Sequence, residues 1–413
     1  MRIKLRFHAA TATPLSLAVI LLLAVAGLLV VLSDGQAQAS NVSCGDTITT
    51  DATLHRSLVN CPNNGIIIGA DDVTLDLNYH RLDGDGTPAA GCNPRKEICD
   101  VGVDIEGHDG VAVVHGSVRE FGYGVFVGRA RHNRVLGISS SRNLLFGFVV
   151  ANSARSVVRG CSGSRNLPPE GDGMGLFSSH HVRIVHNSFR RNGQLGIHVF
   201  DSTRILIKGN VISRNPSAIE LEADRNEVRR NRVARNGNGI GIAGNRNIIR
   251  RNRVDASKGA AGGFGIPLEH GDHNLVARNS IRNTQASAIS VGFEPGAGNV
   301  VRRNRIRGAG EAGVLVDSKG KHTLLIRNVI RGAGEDGVLV KSTAKRTLLR
   351  RNHSFGANDD GIEIDSSNTK LRRNEARHNA DLGIEAVRGV HDGGGNIARH
   401  NGDPRQCTHI VCH

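Results

Sequence analysis

From about residue 180 onward, aliphatic residues recur in short alternating runs, and nowhere do they take the three-and-four spacing of a helix. One polar residue punctuates them: Asn187, Asn210, Asn231, Asn252, Asn279, Asn304, Asn328, Asn352, Asn374 and Asn396, spaced 21 to 27 residues apart. The third residue before this marker is aliphatic, as in Ile184, Ile207, Val228, Ile249 and Val276, and the second after it is usually apolar, as in Phe189, Ile212, Val233 and Val254. A second run follows in each repeat, introduced by glycine or alanine: Gly196-Ile197-His198-Val199, Ala218-Ile219-Glu220-Leu221, Gly361-Ile362-Glu363-Ile364. Its period is two, so alternate side chains point into a core and out to solvent.

Short strands at near-constant spacing, bent at glycine and asparagine, predict an all-β chain that coils on itself as a right-handed parallel β-helix. Asn78 and glycines 116, 137 and 160 extend the marker series toward the N-terminus, giving about fourteen coils. Successive coils pair at about 4.8 Å, so equivalent residues stack. A buried asparagine stacked on asparagine bonds its neighbours above and below and escapes the cost of burial, which makes the marker structural. Asn226, Asn247, Asn274 and Asn299, followed by Thr323 and Thr347, form a second polar column.

The ends differ from the repeats. Residues 1–39 read as an export signal: Arg2, Lys4 and Arg6, then an uncharged apolar stretch from Leu15 to Leu32, then Ala37-Gln38-Ala39 before a cleavage point at Ser40. That stretch is also near the minimum length for a membrane anchor, the one route by which membrane contact is expected. Residues 40–75 read as an N-terminal cap, 76–402 as the repeats and 403–413 as a C-terminal cap. Seven cysteines suggest oxidation after export to the cell envelope or beyond, with Cys44–Cys61, Cys92–Cys99 and Cys407–Cys412 as local staples and Cys161 left as a packed thiol. A formal charge of +15 suits a polyanionic partner without saying which. No specific nucleic acid is expected, and the chain reads as a monomer.

The Arg-Asn-x-aliphatic and Gly-Ile-x-aliphatic units, as in Arg230-Asn231-Arg232-Val233 and Gly239-Ile240-Gly241-Ile242, resemble the pectin-lyase-like superfamily, especially its NosD-like and carbohydrate-binding repeat branch. Cys44-Gly45-Asp46-Thr47-Ile48 and the stretch from Ala70 to Asn78 are similar to the start of such proteins. The resemblance implies a polysaccharide binder, a non-catalytic accessory or surface protein, or an enzyme: a lyase, an epimerase or a hydrolase. It is specific for fold and poor for activity.

The aligned coils yield two candidate surfaces. Arginine precedes the marker in seven successive coils: Arg230, Arg251, Arg278, Arg303, Arg327, Arg351 and Arg373. Cations stacked about 5 Å apart repel and call for a long anionic ligand such as an acidic polysaccharide. The second run presents His198, Glu220, Pro267, Ser290, Glu363 and Glu385, beside lengthened coils at 167–174, 258–264 and 293–298. Asn358-Asp359-Asp360-Gly361, with Asp336 one coil earlier, is similar to the paired-aspartate segment of polygalacturonase-type hydrolases, which would supply an acid and a base for water attack. That family's Gly-His-Gly and Arg-Ile-Lys elements have no match in the following coils. An elimination would instead draw on arginine and His198, with Tyr79 or Tyr123 as phenolic base. His180, His181, His186 and His198 lack a recognised ligand spacing, and no metal or other cofactor is expected. With no tryptophan and two tyrosines, the chain is poorly equipped to stack neutral sugars.

Overall fold

The computed structural model describes residues 41–413 apart from 89, 256, 258–261, 293–295, 318 and 319. The export-signal expectation therefore lies outside the described residues, as does part of two of the three lengthened coils. Every regular element among the described residues is a strand. Fifteen parallel strands form one uninterrupted column, called the long sheet below, from Asp46–Ile48 at one end to Ile384–Ala386 at the other, one more coil than the asparagine count suggests. The extra coil comes from the first of the described residues, where Asp46–Ile48 already pairs with Ile66–Ile68.

Each coil passes through this long sheet and then through two shorter strands. In one coil these are Ser217–Glu222, Glu227–Arg229 and Arg232–Ala234. Each pairs with its counterpart one coil later, so the cross-section is three-sided. Near the N-terminus the eight-residue strands Ala112–Arg119 and Arg134–Ser141 run through the corner between the two short columns and join them.

Corners are sharp because one residue at each adopts a left-handed backbone. Arg225, Arg230 and Arg235, five residues apart, have φ of 57°, 55° and 58°. Glycine is the cheapest residue for this conformation, and Gly137, Gly160 and Gly209 use it at the marker corner. The register refines the sequence alignment here. Leu136 pairs with Arg159, and Arg159 with Val185, so Gly137 and Gly160 stand level with His186, the residue before the marker. Ile138 and Cys161 then occupy the marker place, where Gly116 also falls.

The residue after each corner turns inward. From Asn187 to Asn396, each marker amide donates to the side-chain oxygen of the next, at 3.0–3.2 Å. The same oxygen accepts the backbone N–H of the coil before, as when Asn252 accepts from Asn231 at 3.0 Å. The Asn226 column behaves differently: its amides donate to backbone carbonyls, Ser202 O at 2.9 Å and Ala223 O at 2.8 Å. A third ladder, Asn143, Asn166, Asn192, Asn215 and Asn236, runs up the corner that enters the long sheet. Inside these columns the aliphatic side chains form one continuous core.

The three cysteine pairs are bonded, and Cys161 is a buried free thiol. Burial pushes that thiol up to about 11, while its backbone N–H donates to Asn187 at 2.8 Å. At the far end Cys407 and Cys412 bridge back to Ile384 and Asn396, laying the last residues across the final coil. No helix among the described residues is long and apolar enough to cross a membrane.

Candidate functional site

The seven marker arginines share one backbone state, with φ of 55° or 56°. Left-handed geometry turns the backbone sharply and throws the side chain outward, so the column lies at the corner between the two short-strand columns, across the core from the long sheet. Six of the seven are exposed and Arg351 is half-buried. None forms an ion pair among the described residues; the nearby acid Glu227 is taken by Arg229 and Arg250. Their mutual repulsion is felt at Arg351, whose guanidinium is pulled below its ordinary range first by Arg327, then by desolvation and by Arg350, Arg373 and Arg372. Beside this column a groove of about 650 Å³ is walled by Arg204, Arg225 and Arg246 on one side and by Arg251 and Arg278 on the other. Ile248 and Leu275 lie between the walls.

The predicted aspartates meet at the other side of the molecule. Asp336, Asp359 and Asp360 bring carboxylate oxygens within 4.8 Å of one another. Only Asp359 is exposed. Asp336 accepts the Asp360 N–H at 3.1 Å, and Asp360 accepts the Leu382 N–H at 2.7 Å. Asp172, at the same register of the long sheet, accepts the Leu195 N–H at 2.7 Å. Each of these three is thus a rung joining consecutive coils. Burial raises the carboxyls of Asp336 and Asp360 well above the usual range, helped by hydrogen bonds with Glu363 and Glu385 respectively. Two acids that keep their protons beside an exposed carboxylate can pair a proton donor with an acceptor. The spacing is tighter than the roughly 6.5–9.5 Å that admits a water between catalytic carboxyls. Three oxygen donors also suit a hard cation, but two of them are held protonated and already bound to backbone.

His198 does not join them. It stands outward on Leu195–Phe200, six strands of the long sheet from Val338–Val340, or roughly 30 Å at the interstrand spacing. Its ring lies 3.7 Å from Asp172 and 3.8 Å from Glu222, and burial lowers its pKa. Asp172 is pushed up to about 8, chiefly by burial and against the pull of the Leu195 N–H, with a smaller contribution from Glu220. The arginine column and His198 lie on opposite sides of the core, which removes an elimination that needs both at one sugar. The tyrosines do not rescue it: the Tyr123 hydroxyl is buried against Pro94 O and pushed up to about 12, and Tyr79 stacks on His115 beside the short-strand columns. Of the other outward positions of the second run, Glu220 and Glu363 are half-buried and Glu385 exposed, whereas Pro267 and Ser290 are buried.

One feature escaped the sequence reading. Aromatic residues are few, yet Tyr123, Phe126, Phe146 and Phe177 collect on the outer face of the long sheet. The signal was present as a register: Tyr123, Phe146 and Asp172 stack one above another, as do Phe126, Val149 and Gly175.

The family described as right handed beta helix region matches residues 57–226, 178–330 and 296–402. No curated protein sequence matches the chain. Among solved structures, a mutant tailspike protein of E. coli bacteriophage HK620 in complex with a pentasaccharide is similar, with 10% identity, TM-score 0.50 and coverage of 93% of this chain and 75% of the tailspike chain. A hyperthermoactive exopolygalacturonase from Thermotoga maritima gives 11% identity and TM-score 0.47 over 73% of this chain and 84% of its own. DFA-IIIase from Arthrobacter chlorophenolicus A6, without its lid, gives 14% and 0.45 over 74% and 84%. These likenesses are of fold.

Proposed function

The chain belongs to the right-handed β-helix family, and from that premise we propose that it acts outside the cytoplasm by binding an acidic polysaccharide along its arginine-lined corner. The observation that carries this reading is the column of seven arginines, one per coil, without an acid partner among the described residues. An extended polyanion relieves repulsion at every coil it spans. The adjoining groove supports it, since Ile248 and Leu275 offer an apolar floor for the C–H faces of sugars between two cationic walls. A tailspike of the same fold holds a pentasaccharide, in keeping with a glycan ligand. Three disulfides fit an oxidising compartment.

The test is binding of alginate, pectate and a heparin-like glycan to the purified protein across a salt series. Affinity is expected to fall steeply with salt, and the triple variant Arg327→Gly, Arg351→Gly, Arg373→Gly is expected to lose roughly tenfold. Absence of binding at low salt, or binding indifferent to salt, would sink the reading.

A second reading rests on the aspartates. Their closeness, with two carboxyls kept protonated, supports cleavage of a glycosidic bond in which Asp336 or Asp360 gives its proton to the leaving oxygen as Asp359 attacks the sugar carbon, and water then hydrolyses the glycosyl ester to free Asp359 and the sugar. Product release from pectate or a neutral glycan, abolished by Asp359→Asn, is the expected result. Equal release by wild type and variant would remove it.

A further inference from the structure

We propose that the aromatic cluster on the N-terminal part of the long sheet is a second binding site, built for a neutral N-acetylated amino sugar. The site lies on different coils from the marker arginines and on the opposite side of the core, so it stands independently of the acidic-glycan reading. Its residues belong to an apolar cluster separate from the solenoid interior. Tyr123 and Phe146 stack in parallel at 6.0 Å, and Phe177 meets Phe146 edge-on at 5.7 Å.

Part of this cluster has a structural duty. The loop closed by Cys92–Cys99 lies against it, with the Tyr123 hydroxyl donating to Pro94 O and Arg95 paired to Glu170 at 2.9 Å. That contact covers Tyr123. It leaves Phe146, Ala151 and Phe177 half-buried and Ile98 45% exposed around an open cavity of about 460 Å³. A satellite core that served only to seat the loop would have no reason to hold an apolar cavity open to water. The volume falls in the range of small-ligand pockets.

The rim selects the chemistry. Glu106 and Arg129 face each other at 2.8 Å, so the mouth carries both signs and no net charge. Exposed Asn152 adds an amide. A uronate would meet one guanidinium already neutralised by Glu106, and gains nothing here. An acetamido sugar complements the site at each point: its methyl group and C–H face pack on Phe146, Val149 and Phe177, its N–H meets a carboxylate acceptor, and its carbonyl meets the guanidinium or amide donors. Specificity over the unsubstituted sugar follows, because the methyl group fills apolar space that a hydroxyl would leave poorly solvated.

The experiment is calorimetric titration of the purified protein with chitotetraose and, separately, with cellotetraose, at low salt and at half-molar salt. Chitotetraose is expected to bind at least roughly tenfold tighter than cellotetraose, with little change on adding salt. Phe177→Ala and the surface variant Arg129→Gln are each expected to lose most of that affinity, whereas the triple arginine-corner variant keeps it. No binding of chitotetraose, equal binding of the two tetramers, or loss in the corner variant would overturn the assignment. Concentration-dependent self-association abolished by Phe177→Ala would overturn it too, by giving the pocket to a second copy of the chain.

Discussion

At the residue scale, single polar side chains carry the joints between coils. Asn252 accepts two hydrogen bonds from Asn231 and donates to Val228 O and Asn279. Asn252→Ala strands the Asn231 N–H in a dry interior, so a loss of about 2 kcal/mol is expected from denaturant unfolding. Asp172 has the opposite character. Its folded pKa of about 8 lies above the unfolded value near 3.9, so the folded chain binds the extra proton between these limits. Its contribution to stability is full below about pH 4 and declines as pH rises toward 8. Asp172→Asn keeps an oxygen for the Leu195 N–H and never ionises. Its melting temperature relative to wild type should therefore climb from pH 4 to pH 8; a constant difference would mean the carboxyl titrates normally.

At the element scale, the corner sets what the surface can carry. A left-handed residue costs roughly 1–2 kcal/mol for any side chain with a Cβ, and the chain accepts this at the marker corner with arginine where glycine would serve. Arg327→Gly, Arg351→Gly and Arg373→Gly together should therefore leave the melting temperature unchanged or slightly raised, while removing three charges. A large destabilisation would show that the guanidinium stems pack the corner. The same comparison separates charge from fold in every binding assay on this face.

At the scale of the whole molecule, charge is segregated around the three-sided section. Arginine fills the corner between the short strands, while Asp104, Glu220, Glu363 and Glu385 share one outward register of the long sheet. Unrelieved repulsion along the cationic corner should make the protein more stable as salt is added, and more stable still with a bound polyanion. Thermal unfolding in a salt series checks this. A melting temperature that falls with salt would mean that ion pairs such as Arg119–Asp83 outweigh the repulsion.

Spacing alone determined the architecture. A period of 21 to 27 residues with inward aliphatics and a recurrent asparagine leaves a stack of coils as the only arrangement that buries both, and it foretold the ladder, the arginine column and the meeting of Asp336 with Asp359 and Asp360. Those residues sit at fixed offsets from the marker, so alignment of the repeats was already a map of neighbours. What the third dimension decided is which columns share a face. His198 lies one coil before the first of the marker arginines, yet the core stands between it and their column. Four aromatics that are negligible in the composition become one surface because the early coils place them at adjoining registers. Sequence periodicity fixes height along a solenoid, whereas position around its girth depends on how each corner bends, and that follows from backbone angles set by packing across the whole coil.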